Sequence, residues 1–377
     1  MNDRIFLSVI SAVTMIIALV GQMVSLNASK KDIFLGIRIP ESERNNDELK
    51  NLGKRYIHAN LIVGIPTIII FSVLIYKIDY LWLFMVLLFV FIFIDFLIYY
   101  KYNRMVFSLK LEKKWLKTKK QVVAIDTNFS KKDYNKIMPS SWWFSISFFI
   151  IALCVIINII HYPKLPYRFP THWGIDGKPN GYSIKSYSSI FSMPLIQLFM
   201  VTIMFFSYKT IGWSKREINP NAPEESKIRN LKFRRIWGIY IIVINYVMLL
   251  ILVIGDLQTM QIINSDNRMI LPFVLIISFG ITAVSIIISI KVGQGGSKLK
   301  IQSENKVNNV DVRDDDRFWK LGNTIYYNKD DPSVFVEKRF GIGWTVNAGT
   351  TLGMIFYIVI ILVLAFSIIP LFFIKSK

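Results

Sequence analysis

Eight apolar runs, each near twenty residues long, constrain this chain more than any other feature. They lie at 5–26, 57–76, 80–100, 142–160, 187–208, 236–255, 269–290 and 350–374. A hydrocarbon core of ~30 Å takes about 20 helical residues to cross, and runs of that length have few other uses. Their many Ile and Val residues do not argue for strands. In lipid every backbone group needs an internal partner, and a single run supplies one only as a helix. The expected fold class is an all-α polytopic membrane protein with eight transmembrane helices. The sequence is 53% hydrophobic, which excludes disorder for most of the chain. Its one cysteine, Cys154, sits inside an apolar run, so no intrachain disulfide can form. The first run reads as a retained span rather than a cleaved leader. Only Arg4 precedes it, Lys30 and Lys31 follow it, and Leu26-Asn27-Ala28 is a poor cleavage site.

A net charge of +20 suggests a polyanionic partner at first sight. The placement of the charges gives a different answer. Of the 45 lysines and arginines, 36 fall in alternate loops, 27–56, 101–141, 209–235 and 291–349. The basic loops are cytoplasmic by the positive-inside rule, so both termini face out. The organisation expected is a three-helix unit at 1–141, a helix pair at 142–208, two helices with a basic loop at 209–290, a cytoplasmic module at 291–349 and a last helix at 350–377. Loop 101–141 interleaves Leu109, Leu111, Trp115 and Leu116 with Lys110, Lys113 and Lys114, which reads as an amphipathic helix on anionic lipid. No nucleic-acid partner is expected.

The outer loop 161–186 is the most distinctive outer segment. Pro163, Pro166 and Pro170 keep it extended, and Gly174, Gly177 and Gly181 permit tight turns. It is either an exposed recognition surface or a cap over two helix ends. His172 and Asp176 are too few for a metal site, and no metal or other cofactor is expected. Pro170-Thr-His172-Trp173-Gly174-x-Asp176-Gly177-Lys178-Pro179-Asn180-Gly181-Tyr182, with Lys185 behind it, resembles the signature of a domain of unknown function found in SdpI-type bacterial membrane proteins. Such proteins protect a cell against a toxin made by its siblings. The family often has Asp where this chain has Asn180.

Phe34-Leu-Gly36-Ile-Arg38-Ile-Pro40, then Leu49 to Arg55 and His58, resembles a second stretch of SdpI-type proteins. In the inner module, Trp319, Gly322, Tyr326, Tyr327, Asn328, Asp331, Pro332, Lys338, Arg339 and Trp344 match the pattern of another small domain of unknown function. Thr324–Tyr327 and Val334–Val336 are strand-like there, and the Asn-Lys-Asp-Asp-Pro-Ser turn between them predicts one β-hairpin before the last helix. The Asp314–Asp316 run reads as a solvated acidic segment.

Asp95 is the charged residue placed well inside a span, which makes it a functional candidate. Lys101 or Arg104 could instead pair with it near the inner surface. His58, Asn60, Gly64 and Pro66 form a softer polar and kinked cluster in the second helix. Asn158, Gln197 and Asn245 read as interhelical hydrogen bonds. No phosphate-binding loop, His-Glu-x-x-His or Gly-x-Ser-x-Gly is present, so no enzyme is expected. The resemblance implies a non-enzymatic immunity or signalling protein in the plasma membrane of a low-GC Gram-positive bacterium. It implies lipids as partners, a toxin peptide outside and a regulator inside. His172, Trp173, Gly174, Asp176, Gly177 and Lys185 would act outside, and Gly36, Arg38 and Pro40 inside. The alternative is a secondary transporter or flippase built on Asp95 and the helix-two kink. Oligomeric state is not encoded legibly.

Overall fold

The computed structural model describes residues 3–78, 81–115, 121–122, 138–174, 177–219, 222–263, 267–301, 311–312 and 314–373. Among them are eight α-helices: α1 (Asp3–Ala28), α2 (Asp47–Ile78), α3 (Leu81–Glu112), α4 (Trp143–His161), α5 (Tyr187–Trp213), α6 (Pro223–Thr259), α7 (Asn267–Val292) and α8 (Thr351–Phe373). The first seven are long and apolar enough to cross a membrane, which fits a multi-pass membrane protein. The last is also apolar, and its described side chains span Thr351–Phe366.

Two compact units are formed. One comprises Phe129–Trp213 and Arg234–Ser285; the other comprises Asn2–Asn128, Ser214–Phe233 and Ile286–Lys377. In the second unit α1, α2 and α3 pack together. Leu49, Gly53, Tyr56, Asn60, Gly64 and Ile68 are the buried face of α2, at the three-and-four spacing of one helical stripe. At Gly64 the backbone of α2 lies against Leu19 of α1. A Cβ there would lie 2.8 Å from Leu19 Cδ1.

Helices α2 and α3 outrun the apolar spans read from sequence. The first starts ten residues earlier than 57, and the second ends twelve later than 100. The extensions hold because they bury their own stripe. Tyr99, Tyr102, Val106 and Leu109 of α3 join Leu49 and Tyr56 of α2 around Phe34, Leu35 and Ile37. This corrects the surface-helix reading of the basic loop, at least as far as it is described. Leu109 and Lys110 face protein, not lipid, while residues 116–120 and 123–137 lie outside the described residues.

The module before α8 holds two hairpins instead of the single one expected. Among the described residues six short strands come earlier in the chain, β1 (Ile33–Phe34), β2 (Ile37–Arg38), β3 (Gln121–Val122), β4 (Arg168–Trp173), β5 (Pro179–Ile184) and β6 (Asp311–Val312). Strand β7 (Trp319–Lys320) pairs antiparallel with β8 (Ile325–Tyr326), and β9 (Phe335–Glu337) with β10 (Trp344–Val346). The turns explain the choice. Leu321, Gly322 and Asn323 all have positive φ, as do Gly341 and Gly343, so each hairpin closes within a few residues. The Asn328–Ser333 stretch is a loop held by its own side chains. Asn328 Oδ1 accepts from the Asp330 amide at 3.0 Å, and Asp331 Oδ1 from the Ser333 amide at 3.0 Å.

Candidate functional site

The first site is the hairpin of β4 (Arg168–Trp173) and β5 (Pro179–Ile184) in the first unit. Pro170 lies in β4 and Pro166 two residues before it, but Pro163, expected to hold the chain extended, sits at the start of a 3-10 turn (Tyr162–Lys164), where its missing amide proton costs nothing; Gly177 turns with a φ of 75°. Gly174 donates its amide to Lys178 O at 2.8 Å, and Gly177 donates to Gly174 O at 3.0 Å. Phe169 and Leu165 fix the base of the hairpin in an apolar cluster with Ile190 and Met260. Lys185 is a second fastening: its Nζ donates to Leu165 O at 2.9 Å and Pro163 O at 3.1 Å, and lies 4.9 Å from the Tyr162 ring centre. His172 is exposed and hydrogen-bonds Asn180 across the strands through Nδ1. Trp173 is half-buried. Tyr167, Tyr182, Ile184 and Tyr187 are exposed, and Arg168 stacks over Tyr182 at 4.6 Å. Asp176 lies outside the described residues. The hairpin is thus firm at its base and displays aromatics and bases at its surface.

The second site is a buried ionic network in the other unit. It starts from a two-residue turn. Leu35 (φ 44°) and Gly36 (φ 82°) join strands β1 (Ile33–Phe34) and β2 (Ile37–Arg38). A side chain at Gly36 would strike the Tyr99 hydroxyl, and Asn103 Nδ2 donates to Leu35 O at 2.7 Å. The turn delivers Arg38 into the interior at 1% exposure. Its guanidinium pairs with Asp32 and Glu217, and its Nε donates to Asp315 Oδ1 at 2.9 Å. Arg339 pairs with Asp315 and, at 3.0 Å, with Asp316, and lies over Trp319. Lys110 reaches Asp314 at 2.7 Å and Asp316 at 2.6 Å. Lys30 bridges Glu217 at 2.8 Å and Glu337 at 2.7 Å. Pro40 is buried and precedes the short helix Glu41–Asn45.

The acidic run is therefore not a solvated segment. Asp314, Asp315 and Asp316 are the counter-charges of Lys110, Arg38 and Arg339, drawn in because those cations are buried and need partners. Gly36, Arg38 and Pro40 are placed in the core by this arrangement, away from any exposed recognition surface. Other residues of the module serve the same docking. Tyr326 donates to Asp331 Oδ2 at 3.1 Å, and Lys215 pairs with Asp331 at 2.7 Å. Gly322 O accepts from the Tyr99 hydroxyl, and Trp344 packs 5.7 Å from Phe233. Tyr327, Pro332 and Lys338 are exposed.

Burial alone would push the Glu217 carboxyl up, but Arg38 and Lys30 outweigh it and hold it well below its ordinary value of 4.5. Burial also opposes the ionised Asp315, and Arg339 and Arg38 hold that group below 3.8. Carboxylates depressed on folding contribute stability that is whole above their unfolded values and lost as pH falls through the folded ones. The unfolding midpoint should therefore hold above pH 4.5 and fall below pH 3.8, with a shallower fall in Glu217→Gln. A midpoint scan against pH in detergent checks this; an absent acid limb would refute it.

The polar residues of the helices divide. His58 is exposed and its Nδ1 bonds Lys54 O, one turn back in α2. Asn60 is fully buried and donates to Tyr56 O at 2.8 Å. Asp95 is 5% exposed and pairs with neither Lys101 nor Arg104; its Oδ1 is buried without a partner. Asn245 donates to Ser147 Oγ at 2.7 Å, an interhelical bond of the kind expected. Asp256 lies one residue beyond the 236–255 span that hydropathy marks. Helix α6 continues to Thr259 and buries Asp256 at 1% exposure, beside Asn158 of α4 and Gln197 of α5. Asn347 carries no signal of its role in sequence. Fully buried, it accepts from the amides of Asn328 and Gly349 and donates to the carbonyls of Asn328 and Asp331.

Two family models match parts of the chain. One, described as a domain of unknown function (DUF1648), covers residues 149–198, from within α4 through the β4–β5 hairpin into α5. The other, described as a family of unknown function (DUF5808), covers residues 329–354, from the Asp330–Asp331 loop through β9 and β10 into α8. Comparison with curated proteins and with solved structures finds no match. The chain is a helical protein of membrane type whose hairpin and C-terminal module each match a family of unknown function.

Proposed function

We propose that this chain is a non-enzymatic plasma-membrane protein of SdpI type, with eight spans and both termini outside, that protects its cell against an antimicrobial peptide or senses an envelope signal. The observation that carries the reading is the β4–β5 hairpin. An apolar cluster and Lys185 fasten its base, while His172, Tyr167 and Tyr182 stay exposed. A pure cap would need only the base. A displayed aromatic and basic face on a fixed base suits recognition, because little ordering entropy is lost on contact. Lipids surround the helices in this reading, and a regulator meets the inner loops. Loss of the gene should sensitise cells to a secreted sibling toxin, and His172→Ala should reproduce that loss with normal protein levels in the membrane. Unchanged sensitivity in both strains across a panel of such peptides would sink the proposal.

A secondary transporter or flippase is the second reading. Its support is the pair of buried, unpartnered oxygens Asp95 Oδ1 and Asn60 Oδ1 in α3 and α2.

A further inference from the structure

The turn of the β7–β8 hairpin has an unusual occupant. Leu321 opens it with a φ of 47°, and Gly322 and Asn323 follow at 67° and 65°. Glycine and asparagine take such left-handed backbone readily, whereas a leucine seldom does. Burial within the chain does not account for the residue either, because Leu321 is 59% exposed. Strain and exposure both disfavour a leucine at this place in water.

The neighbours of the turn show where it stands. Gly322 lies on α3: a Cβ there would be 3.0 Å from Tyr100 Cδ2 and 3.3 Å from Tyr99 Cε1, and the Tyr99 hydroxyl donates to Gly322 O. Tyr99 and Tyr100 end the apolar run 80–100, and Lys101 follows. Tyr100 also ends an outward stripe of α3, with Phe93 and Leu97 exposed before it at the spacing of one helix face. In a helix that crosses a membrane lipid covers such a stripe, and tyrosine suits the boundary with water. A turn resting on Tyr100 therefore stands at the edge of the hydrocarbon, beside lipid-facing side chains. The charges around it are sorted to match. Asp314, Asp315 and Asp316 are engaged inward by Lys110, Arg38 and Arg339. Arg317 and Lys320 are exposed, as are Lys101 and Arg104 at the adjoining end of α3. Lys320 Nζ donates to Arg317 O at 3.1 Å, which keeps the two bases of the hairpin together.

We propose that the β7–β8 turn seats the C-terminal module on the membrane: Leu321 enters the boundary between headgroups and acyl chains, and Arg317 and Lys320 meet the phosphates of anionic lipid. An apolar side chain lowered into that layer with bases beside it is the pattern of interfacial attachment. The seat gives a leucine a use where the backbone alone favours glycine. It also holds the module by a second surface, since the first is the docking of Gly322 on Tyr99 and Tyr100. The inference rests on α3 crossing a membrane and is independent of the toxin reading.

The test uses the unaltered full-length chain in lipid nanodiscs that contain a trace of phospholipid with a photoreactive diazirine high in its acyl chain. Adducts are located by mass spectrometry. Leu97 and Tyr100 of the outward stripe should be labelled, and Leu321 with them. Exposed Glu112, about 18 Å farther along α3 at ~1.5 Å per residue, should not be. Labels on the stripe without one on Leu321 overturn the proposal, and cover by a second copy of the chain would give that result. No label on the stripe either overturns it together with the crossing of α3, so the two failures are told apart. A phosphatidylglycerol probe should label Leu321 more than a phosphatidylcholine probe, by about fivefold for each base near the surface. Arg317→Ser with Lys320→Ser should remove that preference and leave the labelling of Leu97 unchanged. Equal labelling by the two lipids in wild type overturns the role of the bases.

Discussion

Arg38→Ala is expected to destabilise the protein by about 3–5 kcal/mol, the usual consequence of removing one partner from a buried ion pair. The residue holds Asp32, Glu217 and Asp315 from a position 1% exposed. Without it three carboxylates face one another with Lys30, Lys110 and Arg339 left to answer six acids. Arg38→Lys should restore only part of the loss. An ammonium is a point charge and cannot replace a planar fork that reaches three partners in fixed directions. The measurement is the unfolding midpoint in detergent at neutral pH, with membrane expression as a second readout. A midpoint equal to that of wild type would show that the network stabilises little. The substitution Arg38→Met with Asp32→Leu should fare better than Arg38→Ala, since it removes both members of one pair while Glu217 keeps Lys30 and Asp315 keeps Arg339.

Asn347→Ala is expected to cost about 3 kcal/mol, the scale for stranding several buried backbone groups at once. Asn347 closes the loop of the module onto the entry of α8. Its Oδ1 accepts from the Asn328 amide at 3.0 Å and the Gly349 amide at 2.9 Å. Its Nδ2 donates to the Asn328 and Asp331 carbonyls, both at 2.9 Å. Its own carbonyl accepts from Thr350 Oγ1 at 2.9 Å. No other side chain of that size has two acceptor sites and two donors on one short stem. Hydrogen exchange reports the local effect. Protection at the Asn328 and Gly349 amides should drop in Asn347→Ala while amides in the middle of α2 keep theirs. Retained protection at both would show that the loop holds by other means.

Helices were the legible part of this sequence, because lipid leaves a long apolar run a single solution. Their ends were less legible. Hydropathy stops reporting where lipid stops, yet α3 continues through Lys101–Glu112 because Tyr102, Val106 and Leu109 have protein to pack against. The same blind spot hid Asp256, which follows the last apolar residues of α6 and reads as the start of a loop. Hairpin pairing in the module is hard to read from sequence for a different reason. Leu321, Gly322 and Asn323 all adopt left-handed conformations, and only the glycine announces that in sequence. The motif residues themselves were visible, but their relation was not. Arg38 and the Asp314–Asp316 run carry no mark of each other, since a single sequence records no distances between loops. What was available was a rule of chemistry: a strongly basic segment that folds must find acids. Glu217, set between bases at Lys215, Arg216 and Lys227, is one that it finds.

Arg38 and its Asp315 partner are 277 residues apart in the chain. A ribosome adding roughly 5–20 residues per second needs about 14 to 55 seconds to pass from one to the other. During that interval α1, α2 and α3 exist with Arg38 and Lys110 still lacking every acid that the C-terminal module brings. The nascent helices must wait in an incomplete state, and a chain cut short before Asp314 never leaves it. The ionic network thereby makes the finished unit conditional on the Asp314–Asp316 run having been made. The last step in assembling this unit is therefore electrostatic: early cations are closed off only when late acids arrive.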